Sequence, residues 1–189
     1  MAHIGTKVFS LTHGNLTIRS AQINDAEEFL TYINQAQQET DFLMRTPDEF
    51  QMTVDDERRF IEDRLLDPRG LLIVARYNGV LAGSLGTNSP NFHRYSHKVS
   101  FGVSLLKDYW GLGIGRKLIE TLIEWADANG IVKISLEVDT LNTRAIRLYH
   151  SMGFTEEGYL KMDRRMENME FRDSLTMARL NPYYSKGSL

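Results

Sequence analysis

The stretch Tyr109-Trp110-Gly111-Leu112-Gly113-Ile114-Gly115-Arg116-Lys117-Leu118 decides the reading of this chain, together with Asn142-Thr143-Arg144-Ala145-Ile146-Arg147-Leu148-Tyr149-His150-Ser151-Met152-Gly153-Phe154 further on. In the first segment three glycines end a strand and open a helix, so successive backbone N–H groups can turn toward an anion with no side chain in the way. The helix dipole places roughly half a positive charge there. Arg116 and Lys117 add whole charges. A dinucleotide fingerprint is excluded, because reading from Gly111 puts Arg116 where the third glycine belongs. A P-loop is excluded as well, since Trp110 stands where its first glycine would be.

The two segments together resemble the GNAT superfamily of acetyl-CoA-dependent N-acetyltransferases. The family loop reads (Gln or Arg)-x-x-Gly-x-(Gly or Ala), and here it is Trp110-Gly111-Leu112-Gly113-Ile114-Gly115. Trp110 departs from the Gln or Arg slot, while the backbone cradle is kept. The resemblance extends over roughly residues 15 to 180 and is strongest from 99 to 158. Phe154 to Gly158 and Glu170 to Met177 resemble a bacterial branch that includes ribosomal-protein alanine and amino-acid N-acetyltransferases.

Composition fits one α/β domain of 189 residues with a formal charge of −3 and no cysteine. Absent cysteine removes thiolate chemistry and suits a reducing cytoplasm. No basic-then-apolar start marks a signal peptide, and no apolar run is long enough to span a membrane. Mild acidity speaks against a dedicated nucleic-acid binder. The expected organisation is an N-terminal extension (1–14), one domain (15–180) and a polar tail (181–189).

Element signals alternate along the chain. Leu16 to Arg19 reads as a strand, followed by a helix capped by Asn24 with Glu27 closing a capping box, running to about Gln37. Val54 to Leu66 is a second helix, stopped by Asp67-Pro68. Asn78-Gly79 joins Leu71–Tyr77 to Val80–Thr87 as a hairpin. His97 to Leu105 alternates, with Val99, Phe101, Val103 and Leu105 on one face. After the glycine loop, Leu118, Ile119, Leu122, Ile123 and Ala126 form the buried stripe of a helix ended by Gly130. Ile131 to Val138 is a strand, Asn142 opens the next helix, and strands near 154–163 and 170–179 close the sheet. The resemblance implies a mixed sheet of six to seven strands, splayed at the acetyl-CoA cleft, with about four helices.

The resemblance also implies site roles. The pantetheine arm would pair with backbone at Val103, Ser104 and Leu105, and the pyrophosphate would meet the amides from Gly111 through Leu112, Gly113, Ile114 and Gly115 to Arg116, with Trp110 at the loop's head. Asn142 maps onto a cofactor-contacting asparagine and Tyr149 onto the tyrosine that protonates the departing thiolate, a role a phenol can fill chemically. Glu137, twelve residues before Tyr149, maps onto the base proposed for ribosomal-protein Nα-acetyltransferases. Each has a structural alternative: core filling for Tyr149, helix capping for Asn142, a tight turn for the glycines, and an ion pair with Lys133 or plain solvation for Glu137. A water chain is the other route for the base, with His93 and His97 as outside candidates.

The implied activity is direct acetyl transfer from acetyl-CoA to a primary amine, with no metal and no cysteinyl intermediate. The acceptor side is expected from Gln35 to Thr53, where Glu39, Asp41, Asp48 and Glu49 either attract a cation or form a solvated loop, and from the hairpin at Arg164 to Phe171. Other readings are a noncatalytic acyl-CoA-binding module and, from Glu137 and Asp139 at a strand end, a Rossmann-type NAD enzyme. Homodimers are frequent among relatives, which leaves a homodimer open here.

Overall fold

The computed structural model describes residues 2–49 and 51–184. They form two compact units, Met1–Asn88 with Gly102–Thr121, and Ser89–Phe101 with Leu122–Leu189. Among the described residues eight strands are ordered β1-β2-β3-β4-β5-β6-β8-β7, one or two more than expected.

In the first unit β1 (Lys7–Leu11), β2 (Gly14–Ser20), β3 (Leu72–Tyr77) and β4 (Val80–Asn88) are antiparallel neighbours. The additional strand is β1, inside the expected N-terminal extension, with Lys7 opposite Ile18 and Leu11 opposite Gly14. Asn78 and Gly79 both have positive φ, 50° and 88°, the geometry that a two-residue hairpin turn demands. Helix α1 (Ala26–Glu39) follows a 3-10 turn at Ile23–Asp25. The expected Asn24–Glu27 cap is not used; the Asp25 carboxylate reaches back to the Gln22 N–H at 2.8 Å. Asp25 is committed there because it also takes both Arg19 nitrogens at 2.6 and 2.7 Å and Arg76 at 3.2 Å. Helix α2 (Val54–Leu66) begins at a true capping box, Thr53 with Asp56. Both helices pack on β3 and β4 through Phe29, Tyr32, Ala36, Ile61, Leu72, Val74 and Leu81.

Strand β5 (Lys98–Leu105) and helix α3 (Ile114–Ala128) each run from one unit into the other. In the second unit β5 pairs in parallel with β6 (Lys133–Asp139) only from Lys98↔Lys133 to Ser100↔Ser135. β6 continues to Asp139 against β8 (Phe171–Leu180), which also pairs with β7 (Thr155–Arg165). Helix α4 (Thr143–Ser151) follows β6, and Gly153 with φ 84° ends it. The buried stripe of α3 holds Leu118, Ile119, Leu122 and Ala126 as expected, and Trp125 as well. In the tail, the Asn181 N–H bonds the Val132 carbonyl at 2.8 Å; the rest of the tail, 185–189, lies outside the described residues.

Candidate functional site

The glycine loop lies wholly in the first unit. Gly111 and Gly113 take φ of 88° and 87°, a left-handed backbone that side-chain-bearing residues resist. Space around Gly113 is open, since a Cβ built there meets nothing within 4 Å. Helix α3 starts at the next residue, and its first turn carries no acidic side chain. The first amides of an α-helix have no partner within the helix, so the head of α3 stands where an anion is favoured. Arg116 is exposed. Lys117 is less available than its sequence position implies: its ammonium pairs with Glu120 at 2.7 Å and lies 5.2 Å from the Phe9 ring centre.

Trp110, half-buried beside Leu112, donates its indole N–H to the Leu105 carbonyl at 3.0 Å. The indole thus pins the loop to the end of β5. Ser104 is held similarly, because the Tyr32 hydroxyl bonds its carbonyl at 2.9 Å and its Oγ at 2.6 Å. Ser84 Oγ completes this hydroxyl group at 3.3 Å from Ser104 Oγ. Burial pushes the Tyr32 phenol up to about 12, although the serines partly oppose this. Val103, Ser104 and Leu105 are half-buried, and each engaged carbonyl keeps a second lone pair for another donor. Tyr32 and Ser84 were not legible as site residues, since they stand 72 and 20 positions from Ser104. Glu39 fixes the same corner by accepting the Lys107 N–H at 2.5 Å.

The remaining predicted residues lie in the second unit. Tyr149 is buried, with ring centres of Phe101 at 6.0 Å and Phe154 at 5.9 Å. No group among the described residues hydrogen-bonds its hydroxyl, and burial pushes the phenol up to about 12. Core filling thus accounts for the ring but not for the polar end. Asn142 does cap α4, its Oδ1 accepting the Ala145 N–H at 3.2 Å. Glu137 is exposed on β6 opposite Thr176. The suggested partner Lys133 is taken by Glu157 at 2.6 Å, and no ion pair to Glu137 is found among the described residues. His93 is exposed on a 3-10 turn and His97 is half-buried before β5.

A buried carboxylate that the pattern did not flag as structural is Asp139 at the end of β6. It takes the Leu141 N–H at 2.8 Å, Arg172 at 3.3 Å and Arg164 at 3.4 Å. Those contacts fix the β6–α4 turn that presents Asn142. In the acidic segment of the first unit, Asp48 and Glu49 are exposed and bond Thr46 within the loop, which favours the solvated-loop reading for that pair. No helix among the described residues is long and apolar enough to cross a membrane.

Comparison with known proteins converges on one family. The model of the Acetyltransferase (GNAT) family matches residues 32–154. The N-alpha-acetyltransferase RimI of Mycobacterium tuberculosis is 34% identical over 119 residues, covering 61% of this chain and 69% of the relative. The ribosomal protein bS18-alanine N-acetyltransferase of Salmonella typhimurium is 41% identical over 56 residues, 30% of this chain and 38% of that enzyme. Among solved structures, a GNAT-family acetyltransferase from Streptococcus pneumoniae superposes with a TM-score of 0.84 at 31% identity, covering 87% of this chain and 99% of that one. A Salmonella typhimurium protein solved with its cofactor acetyl-CoA gives a TM-score of 0.79 at 24% identity, over 90% of this chain and 96% of the other.

Proposed function

The chain belongs to the GNAT acetyltransferase family, and from that premise we propose that it transfers acetyl directly from acetyl-CoA to a primary amine, with Tyr149 as general acid and Glu137 as the residue that receives the amine's proton. The observation that carries the proposal is the pair of left-handed glycines, Gly111 and Gly113, at the head of α3 with open space at Gly113. That cradle fits a diphosphate, and Gly111, Leu112, Gly113, Ile114, Gly115 and Arg116 would hold it through backbone N–H groups. Val103, Ser104 and Leu105 would take the pantetheine amides, with Trp110 setting the loop's position and Asn142 completing the cofactor contacts.

Acetyl-CoA, when bound, supplies the activated acetyl thioester. The Tyr149 hydroxyl, raised to about 12 by burial, holds its proton throughout the neutral range and has no partner among the described residues to compete for it. It can therefore deliver that proton to a leaving anion. Glu137 stands exposed and is not engaged by Lys133, which supports its accepting a proton directly or through water. Orientation of the two reactants would supply most of the acceleration, effective molarities of about 10⁵ M or more being attainable.

A protein or amino-acid α-amine is a fitting acceptor class, in line with the name of the mycobacterial relative; polyamines and other small amines are compatible with the same chemistry. A cytoplasmic setting accords with use of acetyl-CoA. A homodimer is supported by the exposed apolar side chains Tyr159, Met162 and Phe171 on β7 and β8, and sedimentation at equilibrium tests it.

The cofactor assignment is tested by thermal unfolding with acetyl-CoA, CoA, NADH and ATP in parallel, repeated on Gly113→Glu. Ligand at a hundredfold excess over its Kd adds about 2.7 kcal/mol, several degrees for a protein of this size. Stabilisation by acetyl-CoA and CoA alone, lost in the variant, is expected. Stabilisation by NADH alone would overturn the assignment.

A further inference from the structure

The hairpin of β7 and β8 carries a charged cluster that the proposed chemistry leaves unused. Arg164 and Arg172 stand directly opposite each other across the two strands, a position in which like charges repel. The Asp139 carboxylate, with a side chain 0% exposed, bridges them, one oxygen taking Arg172 at 3.3 Å and Arg164 at 3.4 Å. Its other oxygen accepts the Leu141 N–H at 2.8 Å. One arginine would balance that carboxylate; the second adds a charge that a single carboxylate cannot offset. Each arginine side chain is 23% exposed, so the pair is both anchored and within reach of solvent.

Strand register puts this pair on the same face of the sheet as Glu137. Residues paired across antiparallel strands share a face, as do alternate residues along one strand. Glu137 is opposite Thr176 and Asp139 opposite Ser174; Arg172 is the next alternate residue of β8, with Arg164 as its partner on β7. The intervening Asp173 faces the other way, where it accepts the Tyr159 hydroxyl and, at 2.7 Å, the Met162 N–H. Alternate residues of a strand are about 7 Å apart, which sets the guanidinium groups beside Asp139 roughly 7–10 Å from the Glu137 carboxylate. A guanidinium offers five donors in a planar fork that matches a carboxylate, more than one shared oxygen uses. An acceptor whose amine is at Glu137 meets that fork after two to three residues of extended chain, at ~3.3–3.6 Å each. A free amino acid, with amine and carboxylate on one carbon, is too short to reach both.

We propose that Arg164 and Arg172 form a subsite for a carboxylate of the acceptor, so that the preferred acceptors are peptide or protein α-amines with an acidic residue at the second or third position. This rests on the acetyltransferase reading and specifies its acceptor class.

The test uses tetrapeptides with an N-terminal alanine and an amidated C-terminus, carrying Glu, Gln or Lys at position two or three. Turnover with acetyl-CoA is read by release of CoA thiol, which a thiol reagent reports without protein background because the chain has no cysteine. At one of the two positions Glu should raise kcat/KM about tenfold or more over Gln, the scale of one charge-assisted pair, with Lys lowest. In Arg164→Gln and in Arg172→Gln the Glu-to-Gln ratio should fall toward one. A purely structural clamp would not move that ratio, since both peptides meet the same folded protein. Arg172→Lys keeps a cation beside Asp139 and serves if the glutamine variants fold poorly; it should retain only part of the ratio, because an ammonium lacks the fork. Equal kcat/KM for the Glu and Gln peptides on wild type, or a ratio that survives all three substitutions, overturns the proposal. If acetyl-CoA stabilises the protein and none of the peptides is acetylated, this acceptor class falls and the acetyltransferase reading stands; if acetyl-CoA does not bind, that reading falls and the subsite with it.

Discussion

Glu57→Gln should stabilise the protein, and by an amount that grows with pH. Burial of a carboxyl with a sealed, unpartnered oxygen lifts it from 4.5 to about 7, Arg45 only partly offsetting this. The folded state then holds the proton more tightly than the unfolded chain. Between pH 4.5 and about 7 the unfolded state binds fewer protons, so stability falls as pH rises and levels off above. At about 1.36 kcal/mol per pH unit, the full effect is about 3 kcal/mol. Glutamine keeps the shape and removes the titration. For a chain of this size the unfolding temperature of the variant should exceed wild type by roughly 6–12 °C at pH 8, and the two should nearly coincide near pH 4. Thermal unfolding of both proteins across that range measures the difference directly. A difference independent of pH, or a variant less stable than wild type at pH 8, would refute the reasoning.

Two other sites give the opposite sign, a loss of stability. Asp25→Asn should cost about 3 kcal/mol, because it strips the ion pair from Arg19, whose side chain is only 18% exposed, while Arg76 keeps Glu28; denaturant unfolding measures the loss. Burial works against the Asp25 charge, but Arg19, the Gln22 N–H and Arg76 together depress its carboxyl below 3.8. Its contribution is therefore complete above that pH and lost as pH falls through the depressed value. Asn142→Ala should cost about 1 kcal/mol through the lost cap of α4, and Asn142→Ser should restore most of it; unchanged stability in the alanine variant would show that the cap carries nothing.

Local signals were the legible part of this chain. Asn78-Gly79 dictates a hairpin because both residues tolerate positive φ, and Pro68 after Asp67 stops α2 because its ring cannot continue the helix. Alternation placed Ile134, Leu136 and Val138 on the buried face of β6. The glycine loop was readable for the same reason, since its conformation is set by residues next to one another. What escaped depends on partners distant in sequence. Strand β1 has only five residues and gains its identity from β2. Asp25 leaves the expected cap to Gln22 because Arg76, 51 residues away, helps to hold it. The Trp110 indole reaches the Leu105 carbonyl, and Tyr32 the Ser104 carbonyl, neither of which periodicity encodes. Glu57 escaped for the opposite reason: in a run as acidic as Asp55-Asp56-Glu57 every carboxylate reads as solvated, and only the packed helix shows which one turns inward.

The most direct test of the account is Tyr149→Phe, followed by turnover, acetyl-CoA binding and unfolding temperature on the same preparation. The ring contacts with Phe101 and Phe154 survive the change, and no hydrogen bond is lost. Stability and the acetyl-CoA-induced shift should therefore match wild type while turnover falls about a hundredfold or more. Turnover equal to wild type, with binding intact, would contradict the assignment of Tyr149 as the acid.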